Sequence, residues 1–166
     1  MPETFSWVEP TAWCLLALKR AVRALPARGT DVVRGRIADG EALLIDRVCE
    51  SGGWNFGNAN VFGASLPAHV PTSALGLLAL QDKRDLPVVR RSLAFVEEHW
   101  RKELSGGALA LSMICLGTYG RPTGEIAIAL GDQWRHTRFL GNLATTSMVR
   151  CALTMNAGAT AALSLS

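Results

Sequence analysis

The alternation of apolar and polar positions repeats along this chain. Leu15-Leu16-Ala17-Leu18, Leu77-Leu78-Ala79-Leu80, Met113-Ile114-Cys115-Leu116 and Arg150-Cys151-Ala152-Leu153 form related apolar segments, whose closing leucines lie 62, 36 and 37 residues apart. A spacing near 36 fits a helical hairpin with its two turns. The longer first interval holds the glycine-rich stretch Ser51–Pro71. Between these segments lie partners with apolar stripes at helical spacing: Val33, Ile37, Gly40, Leu44, Val48; then Val89, Leu93, Val96, Trp100; then Ile126, Leu130, Trp134. The pattern predicts seven helices, near 11–25, 31–48, 72–82, 86–102, 107–119, 123–135 and 143–157.

Local chemistry supplies the boundaries. Pro10 and Pro71 stand where a helix begins, because the N–H that proline lacks has no partner there. Asp85 with Pro87 is expected to open the fourth helix and Ser105 to cap the fifth. Gly120-Arg121-Pro122 should stop the fifth. The four segments are more apolar than their partners and should form an inner layer, with Leu15, Leu77 and Met113 buried. The partners carry Arg34, Arg36, Asp39, Arg90, Arg91, Glu97, Glu98 and Arg101 and should face solvent.

Composition agrees with an all-α protein. Of 166 residues, 49% are apolar and 19% charged, which is globular rather than disordered, and one domain spanning 1–166 is expected. Alanine and leucine outweigh β-branched residues, which favours helix. The net charge is +3, and the basic runs Arg84–Arg91 and Trp134–Arg138 read as solvated helix faces, so no nucleic-acid partner is expected. Met1–Pro10 has no signal-peptide pattern, and no stretch reaches the ~20 apolar residues of a membrane span; peripheral membrane contact stays open. Cys14, Cys115 and Cys151 lie among apolar helical residues and read as core positions, and Cys49 forms no CxxC pair. Reduced thiols point to a cytoplasmic protein.

The densest local signal is Ser51-Gly52-Gly53-Trp54-Asn55-Phe56-Gly57-Asn58. Paired glycines admit backbone angles closed to other residues, so Gly52 or Gly53 should take a positive φ with Trp54 buried. Asn55, Asn58 and Asn60 can satisfy loop backbone groups. This helix–Gly-Gly-Trp–helix arrangement, followed by Pro71-Thr72 and the Leu77–Leu80 segment, resembles the repeat of prenyltransferases and squalene cyclases. Trp7-Val8-Glu9-Pro10-Thr11-Ala12-Trp13 resembles the family's lead-in to an inner helix. Gly40, Leu44, Gly52 and Trp54 fit the spacing of the QW motif of squalene cyclases, with Gly53 in its turn. Its glutamine, upstream aromatic and leading basic residue would fall at Val48, Leu43 and Asp39, which depart from it.

The resemblance implies an α/α-toroid of about six hairpins, of which this chain carries about three and a half, as the C-terminal half of such a protein would. It also implies an isoprenoid or squalene-type ligand. The family's catalytic signatures are missing. There is no Asp-x-Asp-Asp acid, no Asp-Asp-x-x-Asp run and no Asp-x-Cys zinc pair, since Asp46-Arg47-Val48-Cys49 is one residue too long. No catalytic residue, metal or cofactor is therefore expected, and a non-enzymatic module that binds a lipid or a protein on its inner surface is the alternative. Trp7, Trp13, Trp54, Phe56 and Phe62 are candidates either for an aromatic cavity or for plain core packing. His69, at the mouth of an inner helix, is a candidate ligand contact or an exposed or capping residue. His99 and His136 read as surface residues, and Glu9 as a carboxylate favoured by a helix N-terminus rather than a general acid. An unclosed ring leaves an apolar edge, expected at Trp13 and Leu16 and at Leu143, Met148 and Met155. The missing half-toroid, a second copy, a lipid or a membrane surface would cover it.

Overall fold

In the computed structural model, residues 7–24, 30–156, 163 and 165 are described. They form seven α-helices: α1 (Val8–Ala24), α2 (Asp31–Asp46), α3 (Val70–Ala79), α4 (Pro87–His99), α5 (Gly106–Thr118), α6 (Gly124–Thr137) and α7 (Leu143–Asn156). A two-stranded antiparallel hairpin, β1 (Asn60–Val61) with β2 (Ala64–Ser65), lies in the α2–α3 connection. The described residues are all-α apart from that hairpin.

The odd-numbered helices pack in series, α1 on α3, α3 on α5 and α5 on α7, while α2, α4 and α6 lie on α1, α3 and α5. The sequences of α3 and α5 explain their central place. Neither contains a charged residue, and a helix apolar on all sides is stable only when covered on all sides. Leu77, Leu78, Leu80, Met113, Ile114 and Leu116 are buried accordingly, as is Leu15 of α1. The even helices are amphipathic. Arg34, Arg36, Asp39, Arg90, Arg91, Glu98 and Arg101 are exposed, and Glu97 is half-buried, 2.8 Å from Arg121.

Most helix ends follow from their sequences. Ser105 accepts the N–H of Ala108 at 3.0 Å, and Gly120, at φ 72°, turns the chain so that Arg121 N–H returns to Leu116. Several boundaries differ from the expectation. α1 starts at Val8 and α3 at Val70, because Pro10 and Pro71 fit inside a first turn as well as at its edge. Leu86 rather than Asp85 occupies the N-cap of α4, with Pro87 at its first position. Trp100–Lys102 tighten into a 3₁₀ turn instead of continuing α4. α2 stops at Asp46, two residues short. The expected ends of α1 at Leu25 and α7 at Ala157 lie outside the described residues, as does Met1–Ser6.

Three expected core positions are not core. Cys14 is exposed because α1 turns Val8, Ala12, Leu15, Leu16 and Lys19 inward, and Cys14 lies on the other face. Trp134 is exposed near the end of α6, where only Ile126 and Leu130 are fully covered. Leu153, the last repeat leucine, is exposed on α7. Among the expected edge residues, Leu143 is 83% exposed, Met148 and Met155 are half-buried, and Leu16 is buried against α1's neighbours.

Candidate functional site

The α2–α3 connection holds both the residues that fix the fold and the surface they present. Gly52 and Gly53 both have positive φ, 85° and 74°. At Gly53 an added Cβ would stand 2.4 Å from Ser73 Oγ and 2.8 Å from Phe95, so both φ and contact demand glycine. This turn delivers Trp54 into the core, where it is completely buried. Its indole N–H donates to Leu44 O at 2.7 Å, and its backbone N–H donates to Ser73 Oγ at 2.8 Å. Its ring lies on Gly76, where a Cβ would come within 2.8 Å. Gly40 admits Leu15 of α1 in the same way, where a Cβ would come within 3.0 Å. The positions that fit the QW spacing thus all serve close packing: Gly40 joins α2 to α1, Gly52 lies against Arg91 of α4, and Leu44 and Trp54 join α2 to α3.

Beyond Trp54 the chain turns outward. Asn55, itself buried, donates from Nδ2 to Asn58 O and accepts the N–H of Gly57, both at 2.9 Å, which closes an Asx turn. Phe56 O accepts the N–H of Val8 at 3.0 Å and so satisfies an otherwise unpaired donor at the start of α1. The Phe56 ring is half exposed and lies 4.8 Å from the His69 ring, tilted by 34°. His69 N–H donates to Trp54 O at 2.8 Å, which pins the two sides of the loop together. Asn55, Phe56, Val61, Leu66, Pro67 and His69 line a mainly apolar groove of about 250 Å³. The hairpin forms its far wall, and Phe62, fully exposed at φ 50°, sits at the tip.

Of the six residues considered for a ligand cavity, Phe56 and His69 line this groove together. Trp7 and Trp13 are exposed on and before α1 and do not line it. Trp54 belongs beneath the groove as a packing residue, because complete burial leaves it no surface for a ligand. His69 occupies the N-cap position of α3 by its backbone, without a side-chain cap. His99 is half-buried, stacked on Phe95 with centroids 4.4 Å apart. His136 and Glu9 are exposed, as expected.

A charged cluster went unnoticed in the sequence. Lys19 is only 5% exposed, and its Nζ contacts Ala79 O at 2.8 Å, Glu41 at 2.7 Å and Asp82 at 2.5 Å. Lys83 reaches the second oxygen of Glu41 at 3.1 Å. Two signals were available: a lysine on the apolar face of α1 four residues after Leu15, and a glutamate four residues after Ile37 in the stripe of α2. With its three donors engaged, Lys19 acts as a clasp that caps the last turn of α3 and holds α1 and α2 to it.

Burial pushes the Cys49 and Cys115 thiols up from their ordinary range, and Glu97 adds to the effect at Cys115. The Tyr119 phenol is raised too, chiefly by burial, and donates to Leu77 O at 2.8 Å. Among the described residues, no group of three or more His, Cys, Asp or Glu is placed to hold a metal ion, and no helix is long and apolar enough to cross a membrane. Compared with protein-family models, curated proteins and solved structures, the chain matches none.

Proposed function

We propose that this chain is a binding module of the terpenoid-cyclase and prenyltransferase type that takes an isoprenoid or similar apolar chain in the Phe56–His69 groove. The observation that carries the reading is the groove itself: two facing rings, an aliphatic far wall and neutral amides at one end. Pockets that engulf a drug-sized ligand run to ~300–1,000 Å³. A groove of about 250 Å³ therefore suits one end of a longer chain. The repeat geometry supports the same reading, since Gly40, Leu44, Gly52 and Trp54, which match the QW spacing, all stand at close contacts between elements. The ligand is held rather than turned over, and any acid or metal chemistry comes from a partner half-toroid that meets the unfinished end of the helix row.

Titration with farnesol, followed residue by residue by NMR, tests this. Shifts should be confined to 55–69, and Phe56→Ala should weaken binding about tenfold, since losing part of a ring's burial costs about 1.5 kcal/mol. Farnesol that leaves those signals unmoved would exclude the groove as its site.

One observation favours a second reading. Phe62 projects fully into solvent from the hairpin tip with a backbone angle unusual for its type, which suits contact with a protein surface. Phe62→Asn should leave farnesol binding unchanged and weaken only a protein partner.

A further inference from the structure

A second cleft, of about 330 Å³, opens between the end of α4 and the start of α6 and shares no residue with the aromatic groove. Trp100, Leu116 and Pro122 give it an apolar lining, and the first two are buried. The rest of the lining is charged: Glu97, Arg101, Arg121 and Glu125. These four form two ion pairs. Arg121 Nε stands 2.8 Å from Glu97 Oε1, and a terminal nitrogen of Arg101 meets Glu125 Oε2. The Arg101 guanidinium also lies over the Trp100 ring, 4.6 Å from its centroid.

The charges are balanced, and that restricts the guest. Two positive and two negative groups cancel, so a guest with a single charge brings an excess of one sign into the cleft, whereas a guest carrying both signs brings none. The pairs are also incomplete. Each spends one nitrogen and one oxygen, which leaves the two terminal nitrogens of Arg121, Glu97 Oε2 and Glu125 Oε1 outside them. Guanidinium nitrogens take a carboxylate side by side, and carboxylate oxygens accept from an ammonium. Exposed ion pairs add little to stability, so these can shift around a guest at small cost. Ligand pockets run from ~300 to 1,000 Å³, and a cleft at the lower end suits a small molecule.

We propose that this cleft binds a small zwitterion with an apolar side chain, of the chemical class of a free apolar α-amino acid. The ligand's carboxylate lies on the terminal nitrogens of Arg121. Its ammonium is taken by the spare oxygens of Glu97 and Glu125, and its side chain lies on the apolar lining formed by Trp100, Leu116 and Pro122. Arg101, held between the indole face and Glu125, keeps the fourth charge matched. In the empty cleft the four charged groups satisfy one another, so the site is assembled before the ligand arrives.

L-phenylalanine is the probe, titrated into the full chain labelled with ¹⁵N. It should move the Trp100 indole signal and the backbone signals of 97–101 and 121–125 and leave 55–69 in place. N-acetylphenylalanine and phenylalanine methyl ester each lack one charge, and glycine lacks the side chain; each should bind at least tenfold more weakly. Glu125→Gln changes an exposed side chain outside the core and leaves the cleft with one positive charge in excess. In that variant the order should reverse, with N-acetylphenylalanine bound more tightly than phenylalanine. A purely structural ion pair predicts no such reversal. Phenylalanine that leaves Trp100 unmoved, singly charged analogues that bind as well as phenylalanine, or an order unchanged by Glu125→Gln would overturn the proposal.

Discussion

Trp54 is fixed on every side by groups that were small or polar for that purpose: Gly76 under its ring, Leu44 O on its indole N–H and Ser73 Oγ on its backbone. Trp54→Ala should cost ~3–5 kcal/mol, measured by denaturant unfolding; a change below about 0.5 kcal/mol would contradict this packing. The buried thiols give a pH dependence. The Cys115 and Tyr119 pKa values are raised in the folded state. The unfolded chain therefore releases those protons first, and stability present at pH 7 is lost as pH rises past about 8.5 for the thiol and about 10 for the phenol. Melting temperature should fall across that window, and Cys115→Val should flatten its lower part. Thiol reagents should reach Cys14 at once, but Cys49 and Cys115 only after unfolding. The glycine pair and the burial of Trp54 were legible in the sequence, because only glycine supports such a turn and so large a ring seeks cover. The face of Cys14 was not. α1 is apolar around most of its circumference, and only its partners decide which side is core.

At the scale of elements, the existence and order of all seven helices could be read from the apolar period, and the Ser105 cap from its position. Ser105→Ala should cost about 1 kcal/mol. The hairpin could not be read. Its turn is Phe62-Gly63, both at positive φ, where Asn-Gly is the usual signal. Phe62→Asn should accordingly be neutral or stabilising by up to about 1 kcal/mol, and melting curves will tell. The Lys19 clasp was hidden because its partners lie 22 and 63 residues away. Truncating one member of a buried ion pair costs ~3–5 kcal/mol. Lys19→Ala should fall at or below the lower end, near 2–3 kcal/mol, because Asp82 is 40% exposed and Lys83 still serves Glu41. The groove was half legible: Phe56 and His69 were singled out separately, but only the Trp54–His69 pairing brings their rings together.

At the scale of the molecule, α7 ends the row with Leu143 and Leu153 exposed, and Ile128, Trp134 and Phe139 are exposed on and just after neighbouring α6. Exposed apolar side chains of this kind suit a partner, and sedimentation at micromolar concentration should show association that Leu143→Lys with Leu153→Lys suppresses. A monomer at every concentration would argue against it. The serial packing of the odd helices also bears on how the protein is made. The charge-free helix α3 leaves the ribosome with only α1 to lie on, and its other flanks wait for α4 and α5. From Ala79 to Thr118 is about forty residues, which at ~5–20 residues per second is roughly 2–8 s of synthesis. Throughout that interval the nascent chain carries a naked greasy rod, which makes the stretch from α3 to α5 the moment at which this protein most needs a chaperone.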